Sequence, residues 1–260
     1  MIALVTGSSS GIGRDMARYL NSLNYDLIIT AREEEKLKEL KEELNSKNDN
    51  KVDIIICDLS KQEECINLYN KVKEKYDNID LLINNAGFGL FGSFIETDLQ
   101  TELDMIDVNI KAMHILTKLF LKDMVEKDSG RILNVSSIAG FMPGPLMTTY
   151  YSTKNYVLRM SQAIREELKK KKSKVKISVL CPGPVNTNFN NVANVKFNIR
   201  SKSSEQVAKY AIEKTLKNKF MIIPGIDIKL ARIASKLSPD SIVAKACYHM
   251  QEKKRKSKWI

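Results

Sequence analysis

Histidine and cysteine are scarce in this chain. His114 and His249 are its only imidazoles, and Cys57, Cys65, Cys181 and Cys247 are scattered without Cys-x-x-Cys spacing. Neither a disulfide framework nor a zinc site is expected, and no metal ligands are assigned. Long apolar runs are also missing: no stretch of about 18 or more apolar residues occurs, so no spanning helix is predicted. The first apolar run begins at Ile2, beside the initiator methionine, which leaves no room for a signal or transit peptide. A cytoplasmic protein is the expectation. Internal repeats and Pro/Gly-rich linkers are absent too, which favours a single domain, and 43% hydrophobic residues in a chain of 260 suffice for a sizeable core. The charge is one-sided, +11 in all, yet residues 226–260 hold nine Lys/Arg against three Asp/Glu, a net of +6. Over half of the excess therefore sits in a tail. Only Tyr248 and Trp259 lie among those charges, too few aromatics for a nucleic-acid groove, so no nucleic-acid partner is expected.

Strand-like runs at Ile2–Thr6, Asp26–Thr30, Val52–Cys57, Leu81–Asn84, Arg131–Val135, Val175–Leu180 and Phe220–Ile223 alternate with helical patterns. That rhythm predicts an α/β, doubly wound fold with a mainly parallel sheet and helices on both faces. Glu33–Asn45 reads as a charged helix with Leu37, Leu40 and Leu44 on one face. Ser60-x-x-Glu63 and Ser203-x-x-Gln206 both read as capping boxes. Lys169–Lys172 falls where a long helix should end, a placement that suits the helix dipole.

Thr6-Gly7-Ser8-Ser9-Ser10-Gly11-Ile12-Gly13 follows the first strand and precedes a helical pattern containing Met16, Ala17 and Leu20. Glycines there let the backbone approach a pyrophosphate, and the helix N-terminus attracts its charge. The spacing is Gly-x-x-x-Gly-x-Gly, not the general Gly-x-Gly-x-x-Gly fingerprint. At the end of the second strand stands Ala31-Arg32 in place of the carboxylate that grips an NAD ribose. Arg32 favours NADP, because a guanidinium can hold the 2′-phosphate in a fork.

Ser137, Tyr150 and Lys154 supply a hydroxyl, a phenol and an ammonium suited to proton transfer at a carbonyl. Tyr69/Lys73 and Tyr210/Lys214 share the Tyr-x-x-x-Lys spacing, but thirteen residues before those tyrosines stand Ile56 and Phe197, not a strand-end serine. On a helix, residues four apart face one side, so Tyr150 and Lys154 can enter one cleft. Tyr151 lacks such a partner, since Asn155 lies four beyond it, and Ser136 is one residue too far from Tyr150. Bringing a phenol from pKa 10 to about 7 takes roughly 4 kcal/mol. One ammonium about 4 Å away contributes on the order of 4 kcal/mol at an effective dielectric near 20.

With these motifs in order, the chain resembles the short-chain dehydrogenase/reductase family from Met1 to about Gly225. The resemblance rests on Thr6–Gly13, Asn84-Asn85-Ala86-Gly87, Asn109 in Asp107-Val108-Asn109, the Ser137/Tyr150/Lys154 set and Pro182-Gly183. It implies a seven-stranded Rossmann-type sheet and NADP(H)-dependent oxidation or reduction of an alcohol/carbonyl pair. It further implies a cofactor site of Gly7, Ser9, Ser10, Gly11, Ile12, Gly13 and Arg32, with Asp58 and Leu59 at the adenine. Asn85, Ala86 and Gly87 would line the adenosine ribose, and Pro182, Gly183, Val185 and Thr187 would flank the nicotinamide. Ser137 would bond the substrate oxygen, Tyr150 would exchange its proton, and Lys154 would tune Tyr150 and hold the nicotinamide ribose. Asn109 would fix a water that relays protons from Lys154. The other reading is a non-catalytic NADP-binding sensor, which would need the Gly loop and Arg32 but not an acid/base phenol.

Phe141–Met147 and Asn188–Arg200 should select the substrate, and Phe141, Met142, Leu146, Met147, Phe189 and Phe197 suggest an apolar pocket for a hydrophobic ketone, aldehyde or alcohol. The division is thus 1–225 for cofactor and catalysis and 226–260 for a basic amphipathic helical extension. In that extension Ile226, Leu230, Ile233 and Leu237 recur at helical spacing, and Pro239 opens a second helix. Its apolar stripe is expected to pack over the cleft or against a sister subunit, with peripheral contact to an anionic membrane as the other reading. A homodimer or homotetramer through helices beginning near Asp98 and Thr149 is implied by the resemblance.

Overall fold

The structure is a computed structural model and describes residues 1–186 and 202–256, with side chains up to residue 252. Strands β1 (Ile2–Thr6), β2 (Asp26–Ala31), β3 (Val52–Ile56), β4 (Leu81–Asn84), β5 (Arg131–Val135) and β6 (Lys176–Leu180) fall where the apolar runs predict them. Two short strands, β7 (Val185–Asn186) and β8 (Lys202–Ser203), pair with each other apart from the main sheet. With β9 (Met221–Ile222) the main sheet has seven strands in the order β3-β2-β1-β4-β5-β6-β9, each pairing parallel. It is a Rossmann-type doubly wound α/β fold.

Strand periodicity sorts the core into two layers. Leu4, Ile28, Leu82 and Ile132 point to one face, and Ala3, Val5, Leu27, Ile29, Leu81 and Ile83 to the other. Both faces are covered, which is why the strands read as near-continuous apolar runs. On the first face lie α3 (Gln62–Lys75), α5 (Met113–Glu126) and α6 (Thr148–Lys170), packed through Leu68, Val72, Leu116, Phe120, Val157 and Leu158. On the second lie α1 (Gly11–Ser22), α2 (Glu34–Asn45) and α7 (Ser204–Leu216), packed through Met16, Leu20, Leu37, Leu40, Leu44 and Val207. Each buried leucine of α2 contributes roughly 1.5–3 kcal/mol, so its charged sequence still docks firmly along one stripe. The chain runs from β1 toward β3 on one side and from β4 toward β9 on the other. The C-terminal ends of β1 and β4 therefore border a topological switch point, where such sheets open a crevice.

Helix starts divide into one match and one correction. Ser203 caps α7 by accepting the Gln206 N–H at 3.2 Å, as its spacing predicts. Ser60 does not cap α3. Its hydroxyl donates to Asp58 Oδ1 at 2.8 Å, while the Asp58 N–H donates to Glu64 Oε2 at 2.6 Å. An aspartate two residues upstream competes for the serine and builds a turn instead.

The tail forms α8 (Ile226–Leu237) and α9 (Asp240–Lys256). The apolar stripe of α8 does not pack over the cleft within the chain: Ile226, Leu230, Ile233 and Leu237 are 54–82% exposed, and Ile228, off that stripe, is the residue buried. A Cβ added to Gly183 would lie 2.5 Å from Ile228 Cδ1, so the loop after β6 anchors the helix by its opposite face. Among the described residues no helix is long and apolar enough to cross a membrane.

Candidate active site

The phosphate end of the crevice is built by close backbone approach. Gly7 adopts φ +63° at the exit of β1, a left-handed conformation that favours glycine, and its added Cβ would lie 2.8 Å from Ala86 Cα. A Cβ at Gly13 would lie 2.3 Å from Gly7 O, so the first turn of α1 can close on the loop only without a side chain there. Asn85 braces the same turn by donating from Nδ2 to Thr6 O at 2.9 Å and Gly7 O at 3.1 Å. Ser10 is the N-cap of α1 but its side chain makes no capping bond. The first N–H groups of α1 thus have no side-chain cap, at a helix end where Ser10, Gly11 and Ile12 line the cleft.

Beside them, Arg32, Glu33 and Lys36 line the end of β2 and the start of α2. Ser9 Oγ donates to Glu33 Oε2 at 3.0 Å, and Lys36 Nζ stands 3.8 Å from Glu33 Oε1. A carboxylate therefore sits among the basic groups that the sequence points to, a neighbour that a reading centred on Arg32 alone does not weigh. Asp58 and Leu59 form the next stretch of wall.

The other end gathers Ser137, Tyr150 and Lys154. Ser137 leaves β5 and caps a 3₁₀ turn (Ile138–Phe141) by accepting the Ala139 N–H at 3.2 Å. Its hydroxyl also hydrogen-bonds the Tyr150 phenol. Lys154 is buried, donates from Nζ to Val135 O at 3.0 Å, and sits 5.8 Å from the centroid of the Tyr150 ring. Ser136 is occupied elsewhere, since its hydroxyl donates to Lys154 O at 2.8 Å. The look-alike pairs are taken up differently. Tyr69 and Lys73 both bind Asp123, and Lys214 lies over the Tyr210 ring on α7.

Asn109 lies in a π-helical turn (Asp107–Ala112) between α4 (Leu99–Ile106) and α5. Its buried amide accepts the Phe88 N–H at 3.0 Å and donates to Phe88 O at 2.9 Å and Thr153 Oγ1 at 3.1 Å. The side chain is thus spent on tethering the loop after β4 to α6.

Burial dominates the electrostatics here. It pushes the Tyr150 phenol up to about 12, against a smaller downward pull from Ser137. It also brings the Lys154 ammonium down to about 8. Among the protein groups alone, desolvation of the phenolate outweighs the pull of its neighbours. Loss of water disfavours the charged forms of both groups. The phenol stays protonated across neutral pH.

One cleft of about 460 Å³ joins the two ends. Of the site residues the sequence singles out, it is lined by Gly7, Ser9, Ser10, Gly11, Ile12, Arg32, Asp58, Leu59, Asn85, Ala86, Gly87, Ser137, Tyr150, Lys154, Pro182, Gly183 and Val185. Gly13 and Asn109 stand behind the wall, and Thr187 and the stretch 188–200, with Phe189 and Phe197, lie outside the described residues.

A family model for short chain dehydrogenases matches residues 1–196. An uncharacterized oxidoreductase of Staphylococcus saprophyticus is 35% identical over 186 residues, 72% of this chain and 79% of that protein. The chain belongs to the short-chain dehydrogenase/reductase family. A probable NADP-dependent dehydrogenase of Haemophilus influenzae is 34% identical over 217 residues, covering 79% of this chain and 84% of its own. A solved short-chain dehydrogenase from Sphingobium yanoikuyae, in complex with NADPH, matches with a TM-score of 0.83. It is 24% identical and covers 90% of this chain and 92% of that one, a likeness of fold.

For a member of this family the residues present fit a nicotinamide dinucleotide. The uncapped start of α1 can receive phosphate, and the buried Lys154 ammonium donates to Val135 O and meets no carboxylate among the described residues. The substrate end holds what sequence reasoning missed. Of the described residues of the expected apolar pocket, Met147 alone lines the cleft; Phe141 lies under Arg232, and Met142 packs against Cys247. Tyr151 and Gln251 line it as well, and Gln251 comes from α9. No local signal in the tail marks Gln251.

Proposed function

We propose that the protein is an NADP(H)-dependent carbonyl reductase or alcohol dehydrogenase. The observation that carries this reading is the meeting of Ser137, Tyr150 and Lys154 at one end of a cleft whose other end has an uncapped helix beside Arg32. When bound, the cofactor supplies the hydride chemistry. Ser137 donates a hydrogen bond to the substrate carbonyl oxygen and holds it against Tyr150. Tyr150, kept protonated by burial, delivers its proton to that oxygen as negative charge develops, and in the reverse direction receives it. Lys154 would hold the nicotinamide ribose, and its ammonium, 5.8 Å from the Tyr150 ring centroid, would offer positive charge to a forming phenolate. Asn109 acts on the chemistry through position, since it fixes the wall behind Gly87 and Lys154.

Preference for NADP rests on Arg32 and Lys36, with Ser9 as a further donor to a 2′-phosphate. The relative from Haemophilus influenzae, a probable NADP-dependent dehydrogenase, supports the same preference. Glu33 opposes it, and must give up its Ser9 bond for the phosphate to settle. The three-residue acid/base set weighs against a non-catalytic sensor.

The test is Tyr150→Phe, assayed with NADPH on a panel of aldehydes and ketones. Loss of a proton donor of this kind lowers turnover by roughly 10²–10⁴-fold, while NADPH binding followed by fluorescence persists. Unchanged turnover refutes the mechanism.

A further inference from the structure

Tyr150 is followed by a second tyrosine that faces the same cleft. The two rings lie 6.1 Å apart, edge to face at 77°. Tyr151 is only 9% exposed, and its ring occupies the space that a side chain at residue 144 would need: a Cβ on Gly144 would lie 2.0 Å from Tyr151 Cγ. A tyrosine so confined in the wall of a cleft is held in one orientation.

The tail completes that hold. Gln251, 1% exposed, donates from Nε2 to Tyr151 Oη at 2.9 Å across a separation of 100 residues. One turn earlier on α9, Cys247 is buried against Met142, with sulfur atoms 3.4 Å apart, and Val243 is buried one turn before that. This face of α9 therefore docks on the substrate end and delivers the amide to Tyr151. Because Tyr151 Oη accepts from Gln251, its own O–H proton is left to point elsewhere. Among the described residues nothing accepts it. A donor buried without an acceptor costs about 1–3 kcal/mol, and an oxygen on a bound ligand would remove that cost.

We propose that Tyr151, oriented by Gln251, is a second hydrogen-bond donor to the substrate, which selects carbonyl compounds bearing a further oxygen, such as diones and hydroxyketones, over monofunctional ketones of equal size. The inference rests on the reductase reading and deepens it. It adds a polar group to the apolar pocket that the sequence suggests. The substrate carbonyl reacts at Ser137 and Tyr150, and its second oxygen accepts from Tyr151.

The test compares cyclohexanone with cyclohexane-1,2-dione and cyclohexane-1,4-dione, which scan two oxygen spacings. With NADPH, at least one dione shows a KM about tenfold lower than cyclohexanone, the worth of one hydrogen bond and more than the twofold advantage of having two reacting carbonyls. Tyr151→Phe brings that ratio to twofold or less, and Gln251→Leu lowers it by disordering the phenol. The same ratios are measured as dissociation constants by calorimetry on the Tyr150→Phe variant loaded with NADP⁺. If the wild-type protein reduces none of the three ketones, the reductase reading falls, while the calorimetric ratio still decides the role of Tyr151. No preference for either dione, or a preference untouched in Tyr151→Phe, overturns the inference.

Discussion

The two ends of the cleft are assembled in different ways. At the phosphate end the wall comes from short stretches that directly follow strands: Gly7–Ile12 after β1, Arg32 after β2, Asp58 after β3 and Asn85–Gly87 after β4. Parallel strands bring their C-terminal ends to one edge, so any motif at a strand exit arrives there automatically. At the substrate end Ser137 still leaves a strand, β5, but the wall also takes residues from α6 and from α9, joined by a hydrogen bond between residues 151 and 251. Local chain direction builds the first end; docking of a distant helix builds the second.

That difference can be broken from either side. The largest effect is expected at the phosphate end, where Gly13→Ala forces a Cβ to within 2.3 Å of a backbone oxygen. Overpacking of this kind costs roughly 1–3 kcal/mol, read by urea unfolding, and the displaced loop loses NADPH affinity by more than about tenfold in fluorescence titration, as expected for even a 1.4 kcal/mol loss. An unaltered affinity would mean that the loop tolerates the shift and that the close approach is not needed.

Lys154→Met separates function from stability at the junction of the two ends. The folded-state pKa of Lys154 is depressed to about 8, so the unfolded chain binds more protons than the folded one between that value and the ordinary 10.5. Stability therefore rises with pH across this window, and at pH 7 the buried charge is a cost. Replacement by methionine abolishes turnover yet raises the melting temperature at pH 7, by roughly 2–4 °C for each 1 kcal/mol relieved. Tyr150 acts in the opposite sense: with its pKa raised to about 12, the stability it confers is present below pH 10 and lost as pH rises through 12. A lower melting temperature for Lys154→Met would show that its bond to Val135 O outweighs the desolvation.

The smallest effects belong to exposed charges at the phosphate end. Arg32→Ala raises the KM for NADPH several-fold more than the KM for NADH, and Glu33→Gln lowers the KM for NADPH a few-fold, since solvated charges are worth about 0–1 kcal/mol. Steady-state kinetics with both cofactors measure each change. Equal changes for NADPH and NADH would detach these residues from the 2′-phosphate.

Much of this was legible before folding was considered. The strands of the main sheet are visible as apolar runs, and α2 shows its buried stripe through Leu37, Leu40 and Leu44, because strand and helix periods are local properties. The Ser137/Tyr150/Lys154 set stands out from two look-alike pairs by strand-end context alone. The stripe on α8 is legible in the sequence, but the face that docks within the chain is not, since Ile228 and Gly183 make that contact. Ser60 was misread for a related reason: Asp58 and Glu64 are nearby competitors, and only geometry ranks them.

The sequence by itself determined the family, the order of the sheet's elements and the acid/base set, because each is encoded by residue types at short spacing. Tertiary structure alone decided that burial raises the Tyr150 pKa, that the Asn109 amide bonds Phe88 and Thr153, and that Gln251 reaches the cleft wall. Desolvation depends on everything that surrounds a group, and a contact across 100 residues has no period to betray it.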